Sequence, residues 1–291
     1  MNLTKEKQES FVKNILSIDV EELFHTEYVR HLRENGNAFR TPSNMPSILK
    51  LLNDYSTKAT FFMVGEVAER YPSVTKEIIN RGHEVAFHSY DHKLLLEKNP
   101  EQLVMEIERF NELLMSITGH KCLGFRAPSF SLNNTTKWAL EVLERTGMLY
   151  DSSVFPVWTP LYGVSSALTR PYKPSKDDLT AENVEGKLWE FPLAVYSLLK
   201  LRIPAAGGFY LRFMPSLVSR AVKKINKHGS PAVIFVHSWE LDPETPKLGL
   251  NPYKSFVTYH NIEKTVKLIK HLLQDFQFAS VAEYMKIKGM I

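Results

Sequence analysis

Apolar residues recur at helical spacing in several long segments of the chain. The clearest example is residues 100–118, which carry one apolar stripe and are followed by Gly119, a residue that commonly ends helices. Residues 65–81 show the same spacing, and Pro72 is expected to open a second helical segment there. Further helices are predicted over residues 46–55, 134–145, 215–228, 257–273 and 281–286.

Short apolar runs lie between these helical segments. Residues 232–236 are wholly apolar and largely β-branched, which is typical of a strand buried on both faces. Two irregular, Pro-rich segments, residues 152–187 and 241–255, are predicted to be long loops of the kind that often serve as functional lids. Other strands are predicted over residues 15–18, 59–64, 84–87, 123–125, 188–191 and 276–279.

The alternation of strands and helices predicts an α/β fold with a mainly parallel sheet and covering helices. Seven or eight such units favour a closed or nearly closed barrel, and one domain over residues 1–291 is of ordinary size for it. No glycine-rich phosphate-binding loop follows any predicted strand. A nucleotide-binding open sheet is therefore disfavoured.

Composition and charge narrow the function classes. The chain is 44% hydrophobic with a net charge of +4, which is ordinary for a globular protein. Its Lys and Arg are scattered, so nucleic-acid binding is not expected, and Lys223, Lys224 and Lys227 are interpreted as a solvated helix face. No apolar run approaches the roughly 20 residues that span a bilayer. The polar N-terminus does not resemble a secretory signal, so we expect a cytoplasmic protein.

Four predicted strands each end at an ionisable residue. Asp19, His88, Arg126 and His237 directly follow apolar runs. In a parallel barrel the carboxyl ends of the strands meet on one face, where active sites lie. We therefore expect these four side chains to converge.

Residues beside two of these strand ends are candidate metal ligands. His88 and His92 are four residues apart, so on a helical turn they would share a face and could chelate one ion; a pair of surface histidines is the alternative. Asp19 and Glu21 point the same way if the chain stays extended, whereas Glu22 points away. One carboxylate could then bind metal while the other takes a proton, or Asp19 could instead cap a helix.

Three further residues suggest supporting roles. Arg126 can hold a carboxylate through two hydrogen bonds, or form an ordinary ion pair. His237 titrates near neutrality, which suits a general acid, although a hydrogen-bonded core histidine is the alternative. Asp151 could orient a histidine or cap a turn.

Taken together, these residues resemble the polysaccharide deacetylase family, also called the NodB-homology or carbohydrate esterase family 4 domain. The resemblance runs over roughly residues 15–242 and implies a distorted (β/α) barrel of the NodB-homology type. The strongest part is Ala-Thr-Phe-Phe-Met-Val-Gly at residues 59–65, followed by Gly-His-Glu-Val-Ala-Phe-His-Ser-Tyr-Asp-His at residues 82–92. The remaining similar blocks are residues 126–130, residues 151–153 and the strand that ends in His237.

A narrower similarity is to the deacetylase subfamily encoded beside exopolysaccharide export loci (PEP-CTERM/XrtA-associated). Most family members carry two adjacent Asp in the first motif, a base followed by a metal ligand, whereas Val20 stands second here. The variant with the ligand two residues after the base is similar to this chain, which assigns Glu21 as the ligand and Glu22 as the fallback. The blocks similar to the subfamily are residues 19–25, 207–212 and 237–243.

The resemblance implies a metal-dependent hydrolase that removes N-acetyl groups from an amino-sugar polysaccharide or its precursor. A Zn²⁺ ion, or another divalent metal, would polarise the amide carbonyl and lower the pKa of a water molecule. The implied metal ligands are Glu21, His88 and His92.

The implied catalytic residues surround that metal. Asp19, kept ionised by Arg126, would take the water proton, and His237, tuned by Asp151, would protonate the leaving amine. The backbone N–H of Phe130 would help to hold the oxyanion.

The expected partner is an N-acetylated oligosaccharide or polysaccharide, free or lipid-linked. Aromatic faces suit pyranose rings, although core packing is the alternative and is favoured for Trp189. The candidate sugar platform consists of Trp158, Trp189, Phe209, Tyr210 and Trp239. Two other functions stay open: hydrolysis of a formamide or cyclic amide at the same site, and a barrel that binds carbohydrate without catalysis.

Overall fold

The structure is a computed structural model of the 291-residue chain. It describes residues 12–27, 29–31, 39–159, 162–199 and 201–291. The polar segment on which the localisation expectation rests, residues 1–10, lies outside the described residues. Within the described part, no helix combines the length and apolar character needed to cross a membrane.

Strands and helices alternate along most of the chain. The strands are β1 (Asn14–Val20), β2 (Thr60–Met63), β3 (Glu84–Phe87), β4 (Gly124–Phe125), β5 (Tyr150–Asp151), β6 (Trp189–Glu190), β7 (Val195–Leu198), β8 (Leu201–Pro204), β9 (Val233–His237) and β10 (Phe278–Ala279). The helices are α1 (Thr41–Asp54), α2 (Gly65–Arg70), α3 (Pro72–Asn80), α4 (Pro100–Thr118), α5 (Trp138–Arg145), α6 (Gly208–Phe213), α7 (Pro215–Lys227), α8 (Pro252–Tyr259), α9 (Thr265–Asp275) and α10 (Val281–Ile287).

Strand β1 lies at the centre of a parallel sheet. It pairs with β2 on its carboxyl half, with β9 along most of its length and with β10 at its first residues. From β2 the sheet continues in chain order through β3, β4 and β5 to β6. The N–H of Ala194, just after β6, donates to Val233 O on β9 at 3.1 Å and so links the two sides of the sheet. The predicted fold class, a distorted (β/α) barrel, is confirmed.

The core follows from the apolar pattern. Every residue of β1 is buried, as expected of a strand covered on both faces. Helix α4 buries the predicted stripe and ends at Gly119, whose φ of 74° is the left-handed conformation that glycine adopts readily. Of the five predicted members of the stripe, Ile117 is only half-buried, and the other four are buried: Leu103, Ile107, Phe110 and Leu114.

Three helical predictions differ from the structure. The helix expected over residues 46–55 begins five residues earlier, at Thr41, and contains Pro46 in its interior. The helix expected over residues 257–273 is divided into α8 and α9, because the chain turns at Asn261, whose φ is 51°. The helix expected over residues 134–145 begins only at Trp138. The antiparallel hairpin of β7 and β8 was not predicted, because both strands are short and β8 ends at Pro204.

Candidate metal and hydrolytic centre

The barrel brings the four ionisable strand ends to one face. Asp19 lies in β1 beside His237 of β9, and the two are register partners in neighbouring parallel strands. His88 directly follows β3, and Arg126 directly follows β4. Parallel pairing alone therefore gathers residues that are more than 200 positions apart in sequence.

Glu21, His88 and His92 form a buried cluster. Each offers one ligand atom, and the three atoms lie within 4.8 Å of one another. His92 Nε2 lies 2.6 Å from Glu21 Oε2, and His88 Nε2 lies 3.9 Å from the same oxygen. One carboxylate and two imidazoles that converge in this way fit a zinc site with open positions.

The loop that carries the two histidines is not helical, contrary to the expected helical turn. Ser89 and His92 have φ values of 64° and 59°, in the left-handed region. Such a conformation in non-glycine residues is uncommon and often marks a functional loop. It is this coiled loop, and not helical periodicity, that turns both imidazoles toward Glu21.

Two features prepare His88 for metal binding. Its Nδ1 lies 2.8 Å from the carbonyl oxygen of Arg126, so the N–H is at Nδ1 and the lone pair of Nε2 faces Glu21. Burial lowers the pKa of His88 to about 4, which keeps the imidazole neutral at physiological pH. Neutral imidazole is the form that binds metal.

The structure separates the roles of Glu21 and Glu22. The Glu22 carboxylate accepts hydrogen bonds of 2.9 Å from the backbone N–H groups of Arg40 and Thr41 at the start of α1. Glu21 Oε1 accepts from the indole N–H of Trp239 at 3.1 Å. Among the described residues, Glu21 Oε2 meets no hydrogen-bond donor in good geometry, although it is fully buried. An unsatisfied buried carboxylate oxygen between two imidazoles fits a metal ligand.

Arg126 fixes the position of Asp19. Its Nη1 donates to Asp19 Oδ1 at 2.6 Å and to Ser17 Oγ at 2.9 Å. Its other donors bond to the carbonyl and hydroxyl oxygens of Ser152, both at 2.9 Å. The guanidinium is completely buried over the ring of Phe62. The Asp19 carboxylate is thus held at one orientation next to the cluster.

His237 is held by Glu240 and lies at the edge of the site. Its Nδ1 is 2.9 Å from Glu240 Oε2, and its ring stacks on Trp239 with a centroid distance of 5.2 Å. Its Nε2 lies 3.7 Å from Glu21 Oε1. Burial alone would lower the pKa of His237, but the carboxylates of Glu21 and Glu240 outweigh it and raise the pKa to about 9.

Residues 207–212 hold the carboxylate of Glu240 in its position beside His237. Arg212 forms a buried ion pair with Glu240. A Cβ atom at Gly208 would lie 2.2 Å from Glu240 Oε2, so only glycine leaves room for the carboxylate. The sequence motifs contain Gly208, Arg212 and Glu240 but do not predict that these residues are in contact, because the contact joins segments about 30 residues apart.

Two expected roles, those of Asp151 and of the Phe130 N–H, need correction. Asp151 is the register partner of Glu190, and its Oδ1 accepts a 2.5 Å hydrogen bond from Ser153. The carboxylate in contact with the ring of His237 is that of Glu240. The N–H of Phe130 donates to Ala127 O at 3.1 Å, so it is engaged within its own turn and not aimed at an oxyanion.

Trp239, expected in the sugar platform, has another position. It is only 8% exposed and donates its N–H to Glu21. It therefore holds the carboxylate of Glu21 and the ring of His237 in position, and offers little ring surface to a sugar. Tyr210 remains half-buried, with its hydroxyl 3.3 Å from that of Tyr162, whose ring contacts Phe130. This aromatic wall continues through Phe235 to the ring of His237.

Two family models match successive parts of the chain. Residues 34–149 match the model described as polysaccharide deacetylase, and residues 152–286 match a domain of unknown function. Strands of both parts belong to one sheet, in which β5, between the two parts, pairs with β4 of the first and β6 of the second.

Each of two curated relatives matches about a third of the chain. A peptidoglycan-N-acetylglucosamine deacetylase of Bacillus cereus is 37% identical over 97 residues, which is 33% of this chain and 35% of the relative. A chitooligosaccharide deacetylase of Azorhizobium caulinodans is 33% identical over 88 residues, 30% of this chain and 42% of the relative. The match thus spans only about a third to two fifths of the length of these curated relatives.

A solved structure covers almost the whole chain. The crystal structure of a candidate polysaccharide deacetylase from Mycobacterium smegmatis has a TM-score of 0.61 at 19% identity, and covers 97% of this chain and 92% of its own. At that identity the likeness shows a shared fold. Residues 34–149 are thus similar to polysaccharide deacetylases, and the chain as a whole shares the fold of the Mycobacterium smegmatis protein.

Proposed function

We propose that this protein is a metal-dependent hydrolase that removes N-acetyl groups from an amino-sugar polysaccharide or its precursor. One observation carries the proposal: the ligand atoms of Glu21, His88 and His92 converge beside the Asp19–Arg126 pair and His237. The relatives named as deacetylases support the same reaction.

The proposed metal ligands are Glu21, His88 and His92, and the proposed ion is Zn²⁺. When bound, the metal would supply Lewis-acid polarisation of the acetamide carbonyl and of a water molecule. Trp239 supports the site by its hydrogen bond to Glu21, and the carbonyl of Arg126 supports it by fixing the His88 ring.

The proton transfers fall to two residues of this chain. Asp19, oriented by Arg126, accepts a proton from the attacking water as the new C–O bond forms. His237, whose pKa of about 9 keeps it protonated at neutral pH, donates a proton to the amide nitrogen. The C–N bond then breaks, and the products are acetate and a free amine on the sugar.

Several finer parts of the proposal rest on the sequence alone, through its family resemblance, its length or its N-terminal segment. They are the exopolysaccharide context, the XrtA-associated subfamily, a lipid-linked form of the substrate, a cytoplasmic location and the action of residues 1–291 as one catalytic domain. The half-buried rings of Tyr162 and Tyr210 are the proposed contact surface for the sugar ring, and Phe130, which is buried, packs behind Tyr162.

The test measures metal content and acetate release from N-acetylglucosamine oligomers. Wild type, stripped of metal and refilled with zinc, should hold about one zinc per chain and release acetate only when refilled. A His88→Ala/His92→Ala variant should lose both, while a His228→Ala/His271→Ala control on the exposed surface should keep both. Zinc binding without acetate release would point to a different amide, and a folded protein with neither property would contradict the proposal.

A further inference from the structure

One long stretch of the chain lacks acidic residues. The 49 residues between Glu190 and Glu240 contain no Asp or Glu, although the composition of the whole chain, 32 acidic residues in 291, would place about five there. The same stretch contains seven Lys and Arg. It covers the β7–β8 hairpin, α6, α7 and β9.

The β7–β8 hairpin ends in exposed aliphatic side chains. Leu198 and Leu201 are register partners at the last rung of the hairpin and are 52% and 60% exposed. Leu199, at the tip, is 99% exposed and has a φ of 53°. A bulky residue is unfavourable in this left-handed turn position, where Asn or Gly is preferred, and its exposure to water is a further cost. Such a tip indicates a contact that the isolated chain does not provide.

A row of cations lies beside this hairpin. Lys223 and Lys224 each lie three or four residues from both Arg220 and Lys227, so the exposed cations of α7 share one side of the helix. The helix packs against β7, where Lys224 donates to Ser197 O and lies 5.3 Å from the centre of the Tyr196 ring. The members of this basic row are Arg220, Lys223, Lys224 and Lys227.

We propose that the leucine tip (Leu198, Leu199 and Leu201) and the basic row of α7 together bind the surface of an anionic lipid bilayer. Aliphatic side chains at the tip would enter the boundary between headgroups and acyl chains, while the cations face the negative headgroups. This is attachment to the surface and not a membrane span.

The shape and chemistry favour a bilayer over other partners. A protruding tip of three leucines offers far less area than the roughly 800 Å² per partner of a stable protein interface. Nucleic acid would be bound by the cations alone, through its phosphates, and would leave the leucine side chains exposed. A flat, negatively charged surface with an apolar interior accommodates both features at once.

The experiment is flotation of the full chain with lipid vesicles. Wild type is expected to float with vesicles of phosphatidylcholine and phosphatidylglycerol, to bind at least tenfold less to pure phosphatidylcholine, and to bind less at high salt because charges are screened. Leu199→Ser/Leu201→Ser and Lys223→Gln/Lys227→Gln should each lower the bound fraction at least tenfold. Circular dichroism confirms that each variant is folded.

Matched controls place equal changes elsewhere on the surface. Leu96→Ser/Met105→Ser removes two exposed apolar residues, and Lys267→Gln/Lys270→Gln removes two exposed cations of α9. Both controls should float like wild type. The proposal is overturned if wild type does not bind anionic vesicles, if the controls lose binding equally, or if Leu199→Ser/Leu201→Ser instead abolishes self-association of a protein that ignores vesicles. Release of acetate from soluble oligomers plays no part in this outcome.

Discussion

Two buried carboxylates beside His237 are in opposite states of hydrogen bonding. Around Glu21, in what we call the metal corner, one carboxylate oxygen contacts only the imidazole Nε2 atoms of His92 and His88, and the Nδ1 of His92 has no hydrogen-bond partner among the described residues. Around Glu240, in the acid corner, one oxygen pairs with Arg212 and the other accepts from the backbone N–H of His237 and contacts its ring. The metal corner is Glu21, His88 and His92; the acid corner is His237, Glu240 and Arg212.

The difference distinguishes two uses of a buried charge. A buried polar atom without a partner is costly, so it persists where a ligand completes it. A saturated network gains nothing from a ligand, but it holds one side chain in a fixed orientation and protonation state. We therefore expect changes in the metal corner to affect binding, and changes in the acid corner to affect turnover alone.

The largest expected effect is on turnover at the base that lies between the two corners. Asp19→Asn removes the proton acceptor but keeps a similar shape, so kcat for acetate release should fall by about 10³-fold, within the usual range for general base catalysis. Zinc content, measured by elemental analysis, should stay at the wild-type level. Retained activity would remove Asp19 from the role of base.

The next effect tests the acid corner. Glu240→Gln removes a carboxylate that raises the pKa of His237, so kcat should fall by about tenfold to a hundredfold and the alkaline limb of the pH–rate profile should move to lower pH. Zinc content should not change. The control is Glu244→Gln, since Glu244 is a nearby exposed acid. An unchanged pH profile in Glu240→Gln would show that Glu240 does not tune His237.

A smaller effect separates Glu22 from Glu21. Glu22→Gln weakens the hydrogen bonds to the N–H groups of Arg40 and Thr41, which should lower the free energy of unfolding by about 1 kcal/mol. Urea denaturation measures this loss. Zinc binding and acetate release should persist, and loss of zinc at unchanged stability would make Glu22 the ligand.

The smallest effect concerns the carboxyl pair of Asp151 and Glu190. Burial raises the pKa of both groups, and the charge of Asp151 raises that of Glu190 further. With pKa values above those of the unfolded chain, the pair contributes full stability below about pH 4, and loses it as pH rises through the raised values. Glu190→Gln should therefore gain stability relative to wild type, by about 1 kcal/mol, as pH rises from 5 to 8. Thermal unfolding of wild type and Glu190→Gln at both pH values measures this gain, and Glu185→Gln, at an exposed position, is the control. The prediction is wrong if the stability of Glu190→Gln relative to wild type falls as pH rises.

Much of the fold and of the metal corner could be predicted from the sequence. The periodicity of α4 and the apolar run of β9 reflect local burial, which a pattern records directly. The convergence of Asp19 and His237 follows from parallel pairing, because the carboxyl ends of such strands share one face.

The acid corner could not be predicted in the same way. The approach of Glu240 to Arg212 depends on the turn at Gly207 and on the absence of a side chain at Gly208, and neither has a periodic signature. The engagement of Asp151 with Glu190 depends on the register between β5 and β6, two strands separated by a long irregular segment. Contacts of this kind are set by tertiary packing. Motif resemblance therefore assigned Asp151 to the position beside His237 that Glu240 occupies in the structure.

The most direct test of the account is zinc titration by calorimetry of metal-free wild type and Glu21→Gln. We predict about one zinc per chain for wild type, and affinity at least a hundredfold weaker for Glu21→Gln, because the only carboxylate of the metal corner is lost. Equal zinc affinity in the two proteins would contradict the assignment of the metal corner and, with it, the proposed function.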